Sequence, residues 1–551
     1  MNLYKYVSNA VNDKLGFVAN LEIPRNREFG DFSTNAAMVG AKSAGKNPRE
    51  LANEILPKIA ELDFVADATI AGPGFINIKL RNNFIWGSAG QPIKKSESKS
   101  IKIDLDYGGY NVGKALHIGH LRTTMVGDTY NRVAKYLGYQ TKSYNHIGDW
   151  GRPMGLIIAW ILEYGMPTSG DELNKIYPAS TARASTDESW MAHAKEITAE
   201  LQAGNPEYKK IYDAFMEISL NQMSDILKRL NVLPFDVNMG ERAISPYVPE
   251  MQQILKDKNL LTESDGALIV NVKTDEDTAP MPPLMFRTSG ETQTYAAADL
   301  TAIYYREKTD KPDSIEYFTD FRQNLHFQQV FRVAKMTDIT SANLFHTGFG
   351  NLTGKDGKPF KTRDGGVAGL SDIIDMVNEA VDERVRESGK TLDRETIDTI
   401  ALAALKFNDL IHDVKSDYIF DPAQITSFEG RTGPYILYTA VRLNSVLKRA
   451  GNIDMNAPMT ELSADERNLL IGILEFERTV QGTFDNRATD ILANYAYDLS
   501  QLINTFYHNC PILRDDVPAD VRAARIRISK IALDTLSTVI DLMGLKVPEE
   551  M

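Results

Sequence analysis

Residues 101–151 read IKIDLDYGGYNVGKALHIGHLRTTMVGDTYNRVAKYLGYQTKSYNHIGDWG. The stretch opens with alternating apolar and charged residues, passes through a glycine-containing loop and continues with helical spacing of apolar residues up to Gly138. This order predicts a strand over 101–106, a helix over about 118–137 and a strand over about 140–145. A helix that connects two strands is typical of a parallel sheet. The stretch therefore predicts an α/β fold.

The composition sets the class of protein. The chain has 551 residues, of which 43% are hydrophobic and 25% charged, enough for about three domains of ordinary size. Its one cysteine, Cys510, excludes a disulfide framework and a structural zinc site built on cysteine pairs. The sequence has no run of about 18 apolar residues, and its N-terminus mixes charges into a helical pattern. We expect a soluble cytoplasmic protein with no membrane contact.

The charge is acidic overall but basic in two places. Lys and Arg number 61 against 74 Asp and Glu, which gives a net charge of −13. An average surface of this charge repels nucleic acid, so an RNA partner would need local basic faces. The segments 431–450 and 521–530 carry several basic residues and no acidic ones. Each fits either a solvated helix face or a nucleic-acid surface.

The rest of the chain divides into regions of different pattern. Residues 1–86 predict a small α+β domain, in which Ile76, Ile78 and Leu80 share one face of a strand. Residues 87–100 are rich in Gly, Ser and Lys and predict a linker. Residues 101–400 predict the α/β domain, with a helical insertion at about 160–280. Residues 401–551 predict an all-α bundle.

The loop after the first strand holds two histidines three residues apart. In a parallel sheet, ligands bind beyond the carboxyl ends of the strands, where helix N-termini offer free backbone amides. His117 and His120 would point the same way there, and Gly119 leaves room for a nucleotide. Imidazoles so placed can stabilise charge that grows on a phosphate, without covalent chemistry. The alternative is that a histidine pair in a loop is incidental.

The context of this pair resembles a known family. HIGH at 117–120 after a first strand resembles the signature of class I aminoacyl-tRNA synthetases. DYGGYNVGKALHIGHLR (106–122) and NHIGDWG (145–151) are similar to the arginyl-tRNA synthetase family in particular. Further similar segments occur along the whole chain: GDFSTNAA (30–37), AGPGFIN (71–77), YAAADLTAI (295–303), RQNLHFQQVF (322–331), GKPFKTRDGG (357–366), SFEGRTGPYILY (427–438) and LMGLKVPEE (542–550).

The resemblance implies a fold and a reaction. The α/β domain would be the Rossmann-like catalytic domain of a class I synthetase, and the C-terminal bundle would bind the anticodon. Arginine and ATP would form arginyl-adenylate and pyrophosphate, and the arginyl group would move to the terminal adenosine of the arginine-accepting tRNA. Bound tRNA would complete the active site, so activation would require it. Mg²⁺ would accompany ATP, no zinc would be bound, and we expect a monomer.

The resemblance also assigns the residues that meet ATP. His117, Gly119 and His120 would bind ATP. Lys361 would do so as well, and with Arg363 it would fill the second class I signature, whose cations neutralise the leaving pyrophosphate. This signature is degenerate here, and Lys114 would supply the missing charge. The alternative for Lys114 is a solvated loop lysine.

The arginine side chain needs its own pocket. A guanidinium carries five donors and stays charged, so it requires an acidic, planar partner. Tyr295 and Asp299 are four residues apart and share one helix face, which fits either that role or an ordinary helix surface. The resemblance favours the first. It also implies that Asn111 and Gln323 bind the α-amino group and that Asp106 adds negative charge.

The resemblance turns the basic segment 431–450 into a predicted tRNA surface. Arg431, Tyr435, Arg442 and Lys448 would contact tRNA. Aromatic residues near them are either stacking partners for anticodon bases or ordinary core residues; these are Tyr435, Tyr438, Phe506 and Tyr507. The N-terminal domain would touch the tRNA elbow.

Two other function classes stay open at this point. A small-molecule nucleotidyltransferase could use the same histidine pair, but it has no need for a large helical domain or for Tyr295 and Asp299. A synthetase-like RNA-binding protein without catalysis would be expected to lose the histidines, Lys361 or Asp299. The sequence also departs locally from the family pattern, with Tyr110 in place of a proline, TSGET at 288–292 in place of SDG, and RPMG after NHIGDWG.

Overall fold

The structure is a computed structural model of the chain. It describes all residues except 1, 25–26, 92, 94, 290–292, 359 and 361–367. The chain forms two compact units. The first contains residues 1–95, 428–541 and 546–551, and the second contains residues 96–427 and 542–545. The boundary that we predicted near residue 400 falls within the second unit.

The N-terminal part of the first unit is a four-stranded antiparallel sheet with helices. Its strands have the order β1-β2-β4-β3. Ile76, Ile78 and Leu80 are all buried, as their spacing predicted. The last helix, α4, covers the first three residues of the predicted linker. The elements are α1 (Leu3–Leu15), β1 (Leu21–Glu22), β2 (Phe32–Thr34), α2 (Ala36–Ala44), α3 (Pro48–Ala60), β3 (Val65–Ala71), β4 (Phe75–Leu80) and α4 (Asn82–Ala89).

The second unit is built on a five-stranded parallel sheet of order β12-β11-β5-β6-β7. Its first half comprises β5 (Lys102–Asp106), α5 (Gly119–Tyr136), β6 (Gln140–Ile147), α6 (Arg152–Tyr164), α7 (Gly170–Ala184), α8 (Glu188–Gln202), α9 (Pro206–Arg229), β7 (Val237–Gly240), α10 (Glu241–Ile244) and α11 (Val248–Asp257). The predicted strands and helix of 101–145 are confirmed to within two residues. The predicted α/β class is confirmed as well.

The second half of this unit completes the sheet. It comprises β8 (Leu261–Ser264), β9 (Ala267–Val270), β10 (Leu284–Arg287), α12 (Tyr295–Thr309), β11 (Ser314–Asp320), α13 (Asn324–Thr337), β12 (Asn343–Phe349), β13 (Leu352–Thr353), α14 (Leu370–Glu387), α15 (Arg394–Leu410), β14 (Tyr418–Ile419) and α16 (Pro422–Ile425). β8, β9 and β10 form a separate antiparallel sheet.

The segment predicted as a helical insertion is helical in its first part. Helices α6 to α9 share one hydrophobic core, to which Trp190, Ile197 and Phe215 contribute. The chain then returns to the main sheet as β7, which pairs with β6. Residues 261–287 hold the small antiparallel sheet. A period-based prediction cannot separate these short strands from the helices around them.

Helix α5 is buried along most of its length because it packs under the loop that follows β5. Gly127 permits this contact, since a Cβ atom there would lie 2.2 Å from the side chain of Tyr107. One polar side chain that α5 buries bonds to backbone on both sides: the Thr123 hydroxyl lies 2.9 and 2.7 Å from the carbonyls of Tyr107 and Phe318. The first turn of α5, with His120, is thereby fixed over the centre of the sheet.

The C-terminal part of the first unit is a helix bundle, as predicted. It consists of α17 (Gly433–Ala450), α18 (Ala464–Leu474), α19 (Phe476–Asn486), α20 (Thr489–Asn509) and α21 (Ala519–Leu542), of which only Leu542 belongs to the second unit. Cys510 is buried beside Ser463. No helix in the described part of the chain is long and apolar enough to cross a membrane.

Candidate active site

The loop between β5 and α5 is held by backbone hydrogen bonds on two sides. The amide of Val112 donates to the carbonyl of Gly148 at 3.2 Å, on the loop that follows β6. On the other side, the amide of Ile118 donates to the carbonyl of Ala368 at 3.0 Å, and the amide of Leu370 donates to the carbonyl of Leu116 at 2.8 Å. The loop that carries the two histidines is therefore preorganised.

His117 and His120 form a stacked pair at the start of α5, with ring centroids 3.9 Å apart. The amide of Gly119 donates to Nδ1 of His117 at 3.1 Å, and the amide of His117 donates to Nδ1 of His120 at 3.1 Å. A neutral imidazole that accepts at Nδ1 carries its proton on Nε2. Both rings are thus set to donate from Nε2.

The electrostatics keep these two rings neutral. Burial and the nearby charge of Lys114 lower the pKa of His117. Burial, then His117 and Lys114, lower the pKa of His120 to about 3. The pair consists of neutral donors at physiological pH, so it can receive a phosphate without first losing or gaining a proton.

Tyr110, which stands where the family has proline, supports His120. Its ring is fully buried and meets the His120 ring edge-on, at 5.6 Å and 89°. Its hydroxyl lies 2.7 Å from the hydroxyl of Thr124 on α5. Burial raises the pKa of Tyr110. The substitution therefore leaves a packed loop, with an aromatic wall behind His120.

Lys114 lies at the outer corner of this loop, where the helical insertion meets it. Its Nζ is 4.7 Å from the ring centroid of Tyr177 on α7. The preceding amide, of Gly113, donates to the hydroxyl of Ser219 on α9 at 3.3 Å. The insertion thus contacts the loop directly. Lys361 and Arg363, the predicted cations of the second signature, lie outside the described residues.

Tyr295 and Asp299 lie in the first turns of α12 and share a face, as predicted. The tyrosine is 78% exposed, and the aspartate is partly buried. Oδ2 of Asp299 lies 2.6 Å from Nε2 of His326. Because an ionised carboxylate only accepts, this histidine nitrogen must be the donor. His326 thus orients the carboxylate.

Asp106 has a partner that the sequence analysis did not foresee. Its carboxylate accepts a hydrogen bond from Arg306 at 2.5 Å, and both side chains are buried. The guanidinium of Arg306 lies between the rings of Tyr144 and Tyr317, 4.2 and 5.4 Å from their centroids. His146 approaches the same carboxylate to 3.9 Å. The charge of Asp106 is therefore balanced inside the protein.

Glu241 is an acidic residue at this site that the sequence analysis missed. It follows β7 directly and is partly buried. Burial raises its pKa to about 7; His146 acts against this rise, and the charges of Asp149 and Asp299 add to it. Gly240 is required here, because a Cβ atom there would lie 2.0 Å from Oδ2 of Asp149. The signal was available, since an acid after a parallel strand lies at the ligand-binding edge.

Asn111 and Gln323 follow two other strands at this edge. Asn111 is exposed and forms a bridge with Gly148. Gln323 is exposed and ends the short helical turn after β11. Because β5 and β11 are adjacent and parallel, both residues lie at the carboxyl edge of the sheet although they are more than 200 positions apart in sequence.

Comparison with known families identifies each region of the chain. The model of the class I tRNA synthetase (R) catalytic domain matches residues 85–422. The arginyl-tRNA synthetase N-terminal domain matches residues 1–80, and the DALR anticodon-binding domain matches residues 436–551. The chain belongs to the arginyl-tRNA synthetase family.

Relatives of this synthetase cover its whole length. The arginine–tRNA ligase of Alkaliphilus oremlandii is 36% identical, and the match covers 94% of this chain and 94% of that one. That of Agathobacter rectalis is 33% identical over 99% of this chain and 98% of its own. The synthetase therefore activates arginine with ATP and charges tRNA with it, and the two other function classes find no support.

Solved structures share the fold of the synthetase. The arginyl-tRNA synthetase of Plasmodium falciparum superposes with a TM-score of 0.83 at 23% identity, over 100% of this chain and 98% of that one. The Thermus thermophilus arginyl-tRNA synthetase gives 0.82 at 21% identity, over 100% of both. In the part of the synthetase that the structure describes, no group of three or more His, Cys, Asp or Glu side chains is arranged to hold a metal ion.

The predicted tRNA surface lies on α17 and α20 of the bundle. Arg442 donates to Oδ1 of Asn504 at 2.7 Å, and its guanidinium lies between the rings of Tyr438 and Tyr507, 4.7 and 4.9 Å away. The same asparagine donates to the hydroxyl of Tyr435 at 2.8 Å. Arg442 is thus part of an ordered aromatic layer.

The remaining predicted tRNA residues differ in their surroundings. Arg431, in the loop before α17, donates to Asn494 and lies 5.4 Å from the ring of Tyr497. Lys448 is exposed in the last turn of α17. Phe506 is fully buried in the bundle, so of the two alternatives left open by the sequence it takes the core role.

The second basic segment is largely used inside the first unit. Arg525 donates to Glu466 at 2.7 Å. Arg527 is buried, with its guanidinium 4.2 Å from the ring of Trp86. Basic residues without acidic neighbours in sequence therefore find partners on other elements, and this segment is a poorer candidate for an RNA surface than 431–450.

Proposed function

We propose that the stacked histidines bind the phosphates of ATP through their Nε2–H groups. The observation that carries this proposal is the pair of backbone amides that fix Nδ1 of His117 and His120. Gly119 lets the nucleotide approach the backbone. Lys114 adds positive charge at the loop corner, and Lys361 and Arg363 would complete it. Mg²⁺ would enter with ATP as part of the substrate.

In the first step, a carboxylate oxygen of arginine attacks the α-phosphorus of ATP, and the bond to the β-phosphate breaks. Negative charge then grows on the leaving pyrophosphate. Fixed, neutral N–H donors stabilise this charge without reorganisation, which is the main means of catalysis in phosphoryl and nucleotidyl transfer. His117 and His120 need no proton exchange in this step. In the second step, a ribose hydroxyl of the terminal adenosine attacks the activated carbonyl carbon, and AMP leaves.

The guanidinium of arginine would lie between Asp299 and Glu241, with the hydroxyl of Tyr295 as a third acceptor. The position of Asp299 supports this, since its charge reaches Glu241 and adds to the rise of the Glu241 pKa. A bound cation would relieve their repulsion. Asn111 and Gln323 would bind the α-amino group. Asp106 would act indirectly, through the field of its ion pair with Arg306.

The tRNA would contact two places on the first unit. In the bundle, Tyr435 and Arg442 offer an aromatic and cationic layer for anticodon bases, and Arg431 and Lys448 offer charge to phosphates. In the N-terminal domain, a groove of about 290 Å³ opens beside β2 and β4. Phe29 lines it and is 64% exposed, which suits the stacking of an elbow base.

The decisive experiment is exchange of labelled pyrophosphate into ATP, run with each amino acid in turn, with and without arginine-accepting tRNA. We expect exchange with arginine and tRNA together and little exchange without tRNA. Strong exchange with arginine alone would contradict the proposed tRNA dependence. Gel filtration with light scattering tests the proposed monomer, and cell fractionation tests the proposed cytoplasmic location.

A further inference from the structure

The motif GDFSTNAA at 30–37 takes no part in the proposed reaction, yet its acidic residue, Asp31, is buried and held by hydrogen bonds. Asp31 is only 1% exposed. Its Oδ2 accepts a hydrogen bond from the amide of Leu80 at 2.7 Å, and its own amide donates to the carbonyl of Ile78 at 2.8 Å. The carboxylate is thereby fixed against the end of β4.

Gly30 makes this position possible. Its φ is +141°, and a Cβ atom there would lie 2.9 Å from the carbonyl oxygen of Ile78. A side chain at residue 30 would push the loop away from β4 and take Asp31 with it. The glycine and the aspartate of the motif therefore serve one purpose, which is to present a buried carboxylate at this edge of the N-terminal domain.

Arg467, in the first turn of α18, meets this carboxylate from the helical bundle. Nη1 and Nη2 donate to the two oxygens of Asp31 at 2.8 and 2.6 Å. Nη2 also donates to the carbonyl of Leu80 at 3.2 Å, and Nε donates to Oδ1 of Asn82 at 3.0 Å. A bidentate arginine–carboxylate pair fixes orientation as well as distance. Arg467 therefore holds the end of β4 and the start of α4 against α18.

Three other arginines make looser contacts between the same two parts of the unit. Arg527 lies 4.2 Å from the ring centroid of Trp86, Arg478 lies 5.9 Å from that of Tyr4, and Arg27 approaches Glu475 to 3.9 Å. The Asp31–Arg467 pair differs from these in being bidentate, with a buried carboxylate and a partly buried guanidinium. It is the contact best suited to set the angle between the N-terminal domain and the bundle.

We propose that Arg467 is a positioning residue for tRNA binding, which joins the N-terminal domain to the bundle through Asp31. This inference rests on the function proposed above, in which the N-terminal groove and the surface on α17 and α20 bind two parts of one tRNA. Two sites held in fixed geometry bind a shared ligand at a high effective concentration, which is lost when the geometry loosens. Arg467 thus raises tRNA affinity without touching RNA.

The test compares two RNAs on the full-length enzyme at one salt concentration. Arginine-accepting tRNA spans both sites, whereas its isolated anticodon stem-loop reaches only the bundle. In Arg467→Met and in the nearly isosteric Asp31→Asn, we expect tRNA affinity to fall about tenfold or more, with stem-loop affinity unchanged within about twofold. Arg514→Met is the matched control, because Arg514 forms an exposed pair with Asp516 in the same bundle.

The outcomes separate the possibilities. An equal loss for both RNAs would mean that Arg467 merely maintains the bundle, and an unchanged tRNA affinity would mean that the pair has no role in binding; either overturns the proposal. If Arg467→Met does not fold, Asp31→Asn decides by the same comparison. The double variant Asp31→Asn/Arg467→Met should lose no more tRNA affinity than the single variant that binds tRNA more weakly. Failure of the proposed function would look different, because the unmodified enzyme would then bind arginine-accepting tRNA no better than another tRNA.

Discussion

Nδ1 of His120 accepts a hydrogen bond from the backbone amide of His117, at 3.1 Å. The contact sets the tautomer of His120, because a neutral ring that accepts at Nδ1 carries its proton on Nε2. It also ties the two histidines of the signature together, because the residue that supplies the amide carries the other ring. The spacing of three residues is thus a requirement of this bond as well as of the helix.

Replacement of His120 should lower turnover more than affinity. In His120→Ala, one fixed donor to a developing charge is lost, which should cost about 2–4 kcal/mol in kcat with little change in arginine affinity. His120→Gln, whose amide can still donate, should recover part of the loss. The measurement is the pre-steady-state rate of adenylate formation with tRNA present. A loss below about tenfold in the folded alanine variant would make His120 a structural residue.

The low pKa of His120 has a consequence for acid stability. The folded protein holds this ring neutral down to about pH 3, whereas an unfolded histidine takes up a proton near pH 6.5. Between these values the unfolded chain binds more protons, so the ring lowers the stability of the fold as the pH falls through this window. His120→Ala should therefore lose less stability than the unmodified protein between pH 6.5 and pH 4, as measured by urea unfolding.

Tyr177 should affect ATP through Lys114. The ring lies 4.7 Å from the Lys114 ammonium, and such exposed cation–π contacts contribute about 0.5–1 kcal/mol. Tyr177→Leu should thus raise the KM for ATP about two- to fivefold, and Tyr177→Phe, which keeps the ring, should not. In a Lys114→Met background, Tyr177→Leu should have no further effect. An equal rise in the KM for ATP with Lys114 present and with Lys114→Met would mean that the Tyr177 ring stabilises the insertion instead. Tyr208→Leu, a change in the same hydrophobic core, is the control.

The residues that the sequence could assign are those whose geometry is local. His117 and His120 belong to one strand–loop–helix unit, and Tyr295 and Asp299 belong to one helix, so spacing alone predicts their relative placement. The resemblance supplied Asn111 and Gln323, which only the folded sheet brings to one edge. The parallel sheet and the bundle followed from periodicity over long segments, but the number and order of the strands did not.

The contacts that the sequence could not give join distant segments. Arg306 lies 200 residues from Asp106, and nothing in either segment shows that a buried arginine would neutralise that carboxylate. Glu241 follows a strand of four residues that lies beyond the helical insertion, where a short apolar run has no distinctive period. Phe506 resembled a stacking residue because the helical pattern does not distinguish a buried aromatic from one at the rim.

Glu241 should make arginine binding depend on pH. Its pKa of about 7 leaves it partly protonated in the ligand-free enzyme. A bound guanidinium favours the ionised form, so binding should release close to one proton at pH 6 and become about tenfold tighter from pH 6 to pH 8. Isothermal titration with arginine in two buffers of different ionisation enthalpy measures both quantities.

Glu241→Gln supplies the control for this titration. The variant should bind arginine more weakly at pH 8 and show little proton release and little pH dependence. It should also remove a loss of stability, because a carboxyl whose folded pKa is raised above 4.5 destabilises the fold as the pH rises from 4.5 to about 7. Proton release that persists in Glu241→Gln would assign the titration to Asp149 or another group.

Lys448 should contribute to tRNA binding through charge alone. It is exposed in the last turn of α17, so Lys448→Glu leaves the packing intact. If Lys448 contacts a phosphate, the variant should bind tRNA more weakly, with a salt dependence flatter by about 0.7–0.9 in the slope of log K against log salt. Arg442→Glu should add to this and also disturb the Tyr438 and Tyr507 rings. Lys530→Glu on α21 is the control. Equal salt slopes for the unmodified enzyme, Lys448→Glu and Lys530→Glu would place Lys448 on a solvated face.

Asp299→Asn should weaken the use of arginine itself. The change is nearly isosteric, but it replaces an ionised acceptor with a neutral amide whose N–H₂ would face guanidinium donors. Loss of one partner of a buried charge pair costs about 3–5 kcal/mol, roughly two to four powers of ten in kcat/KM for arginine. The KM for ATP should hardly change. Citrulline is neutral at the corresponding group, so its kcat/KM should fall far less. The ratio of kcat/KM for arginine to that for citrulline should therefore become smaller.

The contact between Asp299 and His326 sharpens this experiment. Because His326 donates to Oδ2 at 2.6 Å, Oδ1 is the oxygen left to face the substrate. His326→Gln can still donate from its amide, so it should keep the preference for arginine over citrulline with only a modest loss of activity. His326→Leu leaves the Asp299 carboxylate free to rotate, so it should lower that preference. Pyrophosphate exchange with arginine and with citrulline, both with tRNA present, measures the preference in each variant. An equal loss for the two substrates in Asp299→Asn, or a large rise in the KM for ATP, would mean that Asp299 supports the fold or the nucleotide and that the guanidinium binds elsewhere.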